Sequence, residues 1–305
     1  MKKLIFFLLI TLFLPDNQLQ ACDICGCGIA GNYMGILPQF NRNFGGIRYK
    51  DRSFLHQNTP LSISGNNQIT EDHFRTAELW ARIFPGKRWQ YMFFAPISVH
   101  ERVGTEYTER IHGIGDLALN AHYFLMNTGD SILNKTKITW LLGGGVQLPT
   151  GKYQQRSRNM SMFPQAFQIG RGAWAFSGQT IFMLRRKKWG MNTDLSYRYL
   201  LRNELDYQFG PQTIAALNFF HWAEVKETSL LTNIGLIHER FGFDKEHGFR
   251  KAHTGGDATL MSAGMDIYLK RFVIGGHYFH PLVQNTPKAI PHNKGRWMLQ
   301  CTMFF

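Results

Sequence analysis

Several features that most protein classes depend on are scarce in this sequence. Past the N-terminus no run of about 18 apolar residues occurs, which excludes a conventional transmembrane helix, and the mean hydropathy is only −0.24. Charged residues make up 18% of the chain, and no long Lys/Arg block appears. The net charge of +13 therefore lacks the local footprint of a nucleic-acid site. Neither G-x-S-x-G nor H-E-x-x-H is present, so no motif marks a hydrolase nucleophile or a zinc protease, and the chain does not read as an enzyme. The 305 residues include only four cysteines. Three of them fall within residues 22–27, and no second cluster completes a structural zinc domain.

What is abundant fits a sheet. Aromatics reach 14%, with 25 Phe, and 30 glycines are spread along the chain. Many aromatics, much Gly and no long apolar run suit a transmembrane barrel, whose signal is weak per segment. The last ten residues show the pattern most clearly. Trp297, Leu299, Cys301, Met303 and Phe305 form one alternate set, and Arg296, Met298, Gln300, Thr302 and Phe304 the other. Period two belongs to a strand. A final strand that stops on an aromatic resembles the closing strand of outer-membrane barrels, where that residue, here Phe305, belongs to the assembly signal. The alternative for these ten residues alone is the edge strand of a soluble sandwich.

The N-terminus predicts export. Lys2 and Lys3 precede a short apolar core, Leu4 to Leu14, broken by Pro15 and followed by Ala21. A basic start, a short core and a small residue before cleavage make a secretory signal peptide over 1–21. Its removal, with Lys2, Lys3 and Asp16, leaves a charge of +12. Residues 22–43 then form an N-terminal periplasmic segment containing Cys22, Cys25 and Cys27. Three sulfurs at C-x-x-C-x-C spacing suit Cu or Zn. A disulfide and acylation of Cys22, after the loose lipobox Leu19-Gln20-Ala21, are the competing uses.

From Phe44 to Phe305 the chain reads as an all-β fold: a transmembrane, antiparallel, up-and-down β-barrel of about 12 strands. The spacing predicts the first strand over 44–54, the fourth over 113–126 and the last over 296–305, with a bulge or bend at Pro96 in the third. Strand eight, about 211–223, alternates poorly. Connections after odd strands are longer, about 18, 9, 22, 9, 16 and 12 residues, and those after even strands are near four or five, except at 127–136. A barrel with both termini in the periplasm has short turns on that side and longer external loops. The face richer in Leu, Ile, Phe, Trp and Tyr is expected to meet lipid, and the polar face to line the lumen. The expected lumen set is Arg48, Lys50, Arg52, Glu78, Arg82, His100, Asp116, Asn120, His122, Asp194, Arg198 and Asp266.

A second line comes from motifs. Gly115-Asp116-Leu117 leads to Tyr123, and Gly143 to Gly151 reads GGGVQLPTG. Gln168 to Trp174 reads QIGRGAW, and Trp189-Gly190, Tyr197-Arg198 and Tyr207-Gln208-Phe209-Gly210 follow. Over about 110–225 this series resembles the Bacteroidota version of an outer-membrane transporter-like family linked to the MetA pathway of phenol degradation. The resemblance implies an export signal, a barrel in the outer membrane of a Gram-negative cell, and passage of small solutes, aromatic or otherwise. The partners then expected are outer-membrane lipid, the barrel assembly machinery and a small-molecule solute, with no nucleic acid. The cysteine triplet lies outside the shared stretch. Three functions follow as expectations: a channel for small aromatic or anionic solutes, an outer-membrane component of copper handling, and a structural barrel with a filled lumen.

Overall fold

The computed structural model describes residues 42–56, 70–104, 107–128, 136–157, 161–252, 254–285 and 292–305. The expected signal peptide and the Cys22, Cys25 and Cys27 triplet lie outside them. Twelve long strands form the wall. They are β1 (Phe44–His56), β2 (Thr70–Ile83), β3 (Trp89–Val103), β4 in two pieces (Thr108–Ile114 and Ala118–Asn127), β5 (Thr136–Gln147) and β6 (Ala175–Arg186). The rest are β7 (Trp189–Leu200), β8 (Gln212–Val225), β9 (Thr228–Phe241), β10 (Gly256–Tyr268), β11 (Phe272–Asn285) and β12 (His292–Phe304). Each pairs antiparallel with its sequence neighbour. β1 also pairs with β12, from Phe44 opposite Phe304 to Leu55 opposite His292. That ladder closes the ring and leaves no long strand edge for lipid to solvate, the condition a bilayer imposes.

The two faces follow the period-two pattern. Outward positions carry Leu79, Ile97, Leu142, Ile234 and Leu299, each about half exposed, and form the apolar band of a membrane-spanning barrel. The interior departs from expectation. The inward face is not uniformly polar: Phe44, Trp80, Met92, Leu141, Ile181, Phe220, Val273 and others pack into an apolar layer toward one end. A second apolar cluster, with Phe54, Phe74, Ile111, Phe241 and Leu260, fills the other end. Twelve strands enclose a space that large side chains can largely fill. The poor alternation of β8 has this cause, since Ile214, Phe220 and Trp222 are buried while Phe219 is exposed on the opposite face.

The ends of the barrel differ. At one end β2–β3, β6–β7, β8–β9 and β10–β11 are joined by two to five residues, with Phe44 and Phe304 beside them. Short turns mark the periplasmic side. The opposite end carries the longer connections 148–174, 201–211 and 242–255. Residues 207–208, 245–246 and 249–250 pair into a small three-stranded sheet on that rim. The third long loop, expected from Pro149 to about residue 170, is present and turns into the barrel. A short 3-10 helix, Gln165–Phe167, puts Phe163 and Phe167 into the outer apolar cluster.

Two local predictions are corrected by the structure. β3 runs unbroken through Pro96 and pairs with β2 without a register shift, so the expected bulge is not in β3 and the extra residue lies in β4. Phe94 pairs with Ala118 and Ile97 with Ile114, so two residues of β3 face three of β4. Pro96 has no N–H to donate, while its carbonyl accepts from Gly115 N–H at 2.8 Å. Strand four is not continuous over 113–126: it starts at Thr108 and breaks at 115–117. The extension was missed because its charged run, Glu109 and Arg110, reads as loop.

Candidate functional site

All twelve residues of the expected lumen set are turned into the barrel. Lys50, Arg52, Glu78, His100, Asp116, Asn120 and Arg198 line one cavity of about 160 Å³. The same cavity touches Phe74, Phe94, Phe209 and Phe241, and the inward loop covers it with Gln165, Gln168 and Arg171. Charged groups and aromatic rings thus share one space between the two apolar layers.

The charges in the wall are held in pairs. Arg48 donates from Nε to Glu78 at 2.9 Å and also from its Nη2, and Lys50 Nζ donates to the other Glu78 oxygen at 3.1 Å. The Arg48 guanidinium lies 4.0 Å above the Trp80 ring. Arg102 grips Asp72 with two bonds, 2.7 and 2.6 Å, and Arg296 grips Glu239 with two of 2.8 Å. Bidentate geometry fixes these side chains along the wall. The other expected residues belong to similar clusters. His122 donates from Nε2 to Gln179 at 2.9 Å, and Gln179 donates to both Asp194 oxygens at 2.8 Å. Asp266 accepts from Gln300 at 2.7 Å and lies 3.2 Å from His277. Arg82 sits between the rings of Phe44 and Phe84, 4.8 and 5.0 Å away.

The expected lumen set left out Asp72, Arg102, Glu239, Gln179, Arg296 and Gln300, although the last two lie on the polar face read for the last strand. A signal for such clusters was present in the inward glycines. A Cβ on Gly275 would overlap the Asp266 carboxylate, and one on Gly145 would overlap the Asn120 amide. The missing side chain on one strand lets the neighbour's polar group lie flat against the wall.

Asp116 has a different task. Freed from the ladder by the break in β4, its carboxylate accepts from Gly151 N–H at 2.9 Å, Arg171 N–H at 3.0 Å and Gln147 Nε2 at 3.1 Å. Thr150 Oγ1 accepts from Leu117 N–H at 2.9 Å. Gly151 and Gly170 touch backbone to backbone, leaving no room for a Cβ on either. Three separated motifs, Gly115-Asp116-Leu117, Leu148 to Gly151 and Gln168 to Gly172, therefore build one clamp on the inward loop. Deeper in, His100 Nδ1 donates to the Phe167 carbonyl at 2.8 Å. On the rim, Asp244 accepts from the Tyr207 hydroxyl and from Gly210 N–H at 2.6 Å, and Arg171 stacks 4.5 Å above Phe209.

Among the described residues, no three His, Cys, Asp or Glu side chains converge as metal ligands, and no helix is long and apolar enough to cross a membrane. Cys301 is exposed on the outer face of β12 with a free thiol.

A closed twelve-stranded barrel with an apolar outer band and a clamped inward loop defines the class: an integral β-barrel of the Gram-negative outer membrane. The family model described as "Putative MetA-pathway of phenol degradation" matches residues 52–229, more than half the chain, and the protein belongs to that family. The fold is similar to that of an outer membrane channel from Pseudomonas putida F1, with 16% identity and a TM-score of 0.66 over 87% of this chain and 96% of that one. The transport unit of the autotransporter AIDA-I from Escherichia coli aligns at 9% identity and TM-score 0.49, covering 92% and 93% of the two chains. No curated protein matches the sequence significantly.

Proposed function

We propose that the protein is a non-catalytic outer-membrane channel for small solutes that combine an aromatic ring with a polar or anionic group. The central cavity carries this reading. A space of roughly 150 Å³ takes a benzene-sized molecule, and the cavity here is about 160 Å³. Its lining offers rings (Phe74, Phe94, Phe241) beside cations (Lys50, Arg52, Arg198). Packed apolar layers flank the cavity on both sides, and the polar group of a solute held there would meet the charged belt between them. The fold shared with the Pseudomonas outer membrane channel supports the same reading. The inward loop, clamped by Asp116, sets the width of the path.

The test is uptake of benzoate, phenol and an uncharged sugar of similar size into liposomes carrying the folded protein. The proposal expects benzoate and phenol to enter faster than the sugar. Equal entry of all three would remove the selectivity, and no entry of any would favour a filled structural barrel. Handling of a soft metal by Cys22, Cys25 and Cys27 is a separate proposal resting on their spacing. Equal copper content in the wild type and a triple Cys→Ser variant would rule it out.

A further inference from the structure

The barrel is electrically lopsided. Its four short described connections, 84–88, 187–188, 226–227 and 269–271, hold seven Lys or Arg and a single carboxylate, Glu227. At the opposite end the charges mix and pair, as in Arg202–Asp206 at 2.9 Å and Lys251–Glu246 at 2.6 Å. At the periplasmic rim the single acid of those described turns, Glu227, is engaged by Lys270 at 2.9 Å, which leaves a strong excess of positive charge.

Two groups on this rim face outward, toward lipid. Arg88 donates to the Tyr123 hydroxyl at 2.8 Å, and Trp89, the ladder partner of Tyr123, has its ring 5.2 Å away. Arg186 is the ladder partner of Trp189, whose ring lies 4.5 Å from His221. Trp189 is 67% exposed. Indole and phenol rings favour the headgroup level of a bilayer, so each group holds a cation at that depth. The turns themselves carry the charge at a conformational cost. Lys187 and Lys226 adopt φ of 56° and 54°, the left-handed region that suits Gly or Asn far better than Lys.

We propose that the periplasmic rim binds anionic phospholipid headgroups, the phosphates seated on the Arg88–Trp89–Tyr123 and Arg186–Trp189–His221 groups. The periplasmic leaflet supplies phosphatidylglycerol and cardiolipin at this height. Each basic residue near such a surface attracts it electrostatically, and the neighbouring aromatics hold the acyl boundary. A periplasmic protein with an acidic surface would also be drawn to the turns, but it would leave the lipid-facing arginines unused.

Native mass spectrometry of the full-length barrel, released from detergent with cardiolipin or phosphatidylcholine, tests this. The wild type should retain cardiolipin over phosphatidylcholine, and a variant carrying Arg88→Gln, Arg186→Gln and Lys187→Gly should lose about ten-fold of that retention. Lys187→Gly relaxes its turn, and heat-dependent mobility on gels reports folding. If the variant does not fold, the wild type alone decides: its cardiolipin retention should fall between about 0.05 and 0.5 M salt. Equal retention of both lipids, no loss in the folded variant, or salt-independent retention would each overturn the proposal.

Discussion

The carboxylate of Asp116 accepts the backbone N–H of Arg171, 55 residues further along the chain, at 3.0 Å, and this bond closes the inward loop onto the broken fourth strand. Asp116→Ala leaves the N–H groups of Gly151 and Arg171 without their acceptor, at about 1–3 kcal/mol each. Among the described strands the wall meets this carboxylate only through Gln147, the last residue of β5, so the twelve-strand ladder should still form while the loop loosens. Trypsin applied to the folded barrel should then cut at Lys152, Arg156 or Arg171 about ten-fold faster than in the wild type. Unchanged cleavage would show that the clamp does not hold the loop.

Glu78 binds two cations, Arg48 and Lys50. Glu78→Gln strips both of their counter-charge, and breaking a buried pair costs about 3–5 kcal/mol. The double variant Glu78→Gln with Arg48→Gln should recover part of that loss. Unfolding by urea in micelles measures both, and a double variant no more stable than Glu78→Gln would argue against the pairing.

Asp244 makes the rim latch sensitive to pH. Burial pushes its carboxyl above the usual range, opposed by the Tyr207 hydroxyl, Gly210 N–H and nearby cations. A carboxyl raised in the folded state contributes stability that is full below its unfolded value, near ~3.9, and is lost as pH rises through the folded value. Protection of the 201–211 and 242–255 loops from protease should therefore increase on acidification through this window. Asp244→Asn should flatten that dependence, and an unaltered profile would assign it to another group.

Phe305 is 71% exposed at the end of β12, and its N–H donates to the Asn43 carbonyl at 3.1 Å. Its side chain adds little to the folded barrel, which leaves recognition during assembly as its proposed use. Deleting Phe305 should lower the amount of folded barrel in outer membranes, and Phe305→Tyr should not. Equal amounts for the deletion and the wild type would contradict that role.

The wall was legible because membrane strands must alternate. Leu79, Ile234 and Leu299 announced the lipid face, and the pairing of β1 with β12 followed from closure. The inside was less legible. Phe44, Trp80, Phe220 and Phe304 face inward, yet apolar residues on both faces blur period two, as in β8. Asp116 was placed inside from its polarity, but its bonds to Gly151 and Arg171 span a loop whose path depends on tertiary packing. The Asp266 cluster could have been suspected from Gly275, because a glycine within a strand often marks the close approach of a neighbour.

Single-channel recording in planar bilayers tests the central claim most directly: the wild type should conduct in small steps, and Asp116→Ala, with its loop released, in larger ones. Folded barrels that never conduct in either form, or identical steps from both, would contradict a channel whose width is set by the clamped loop.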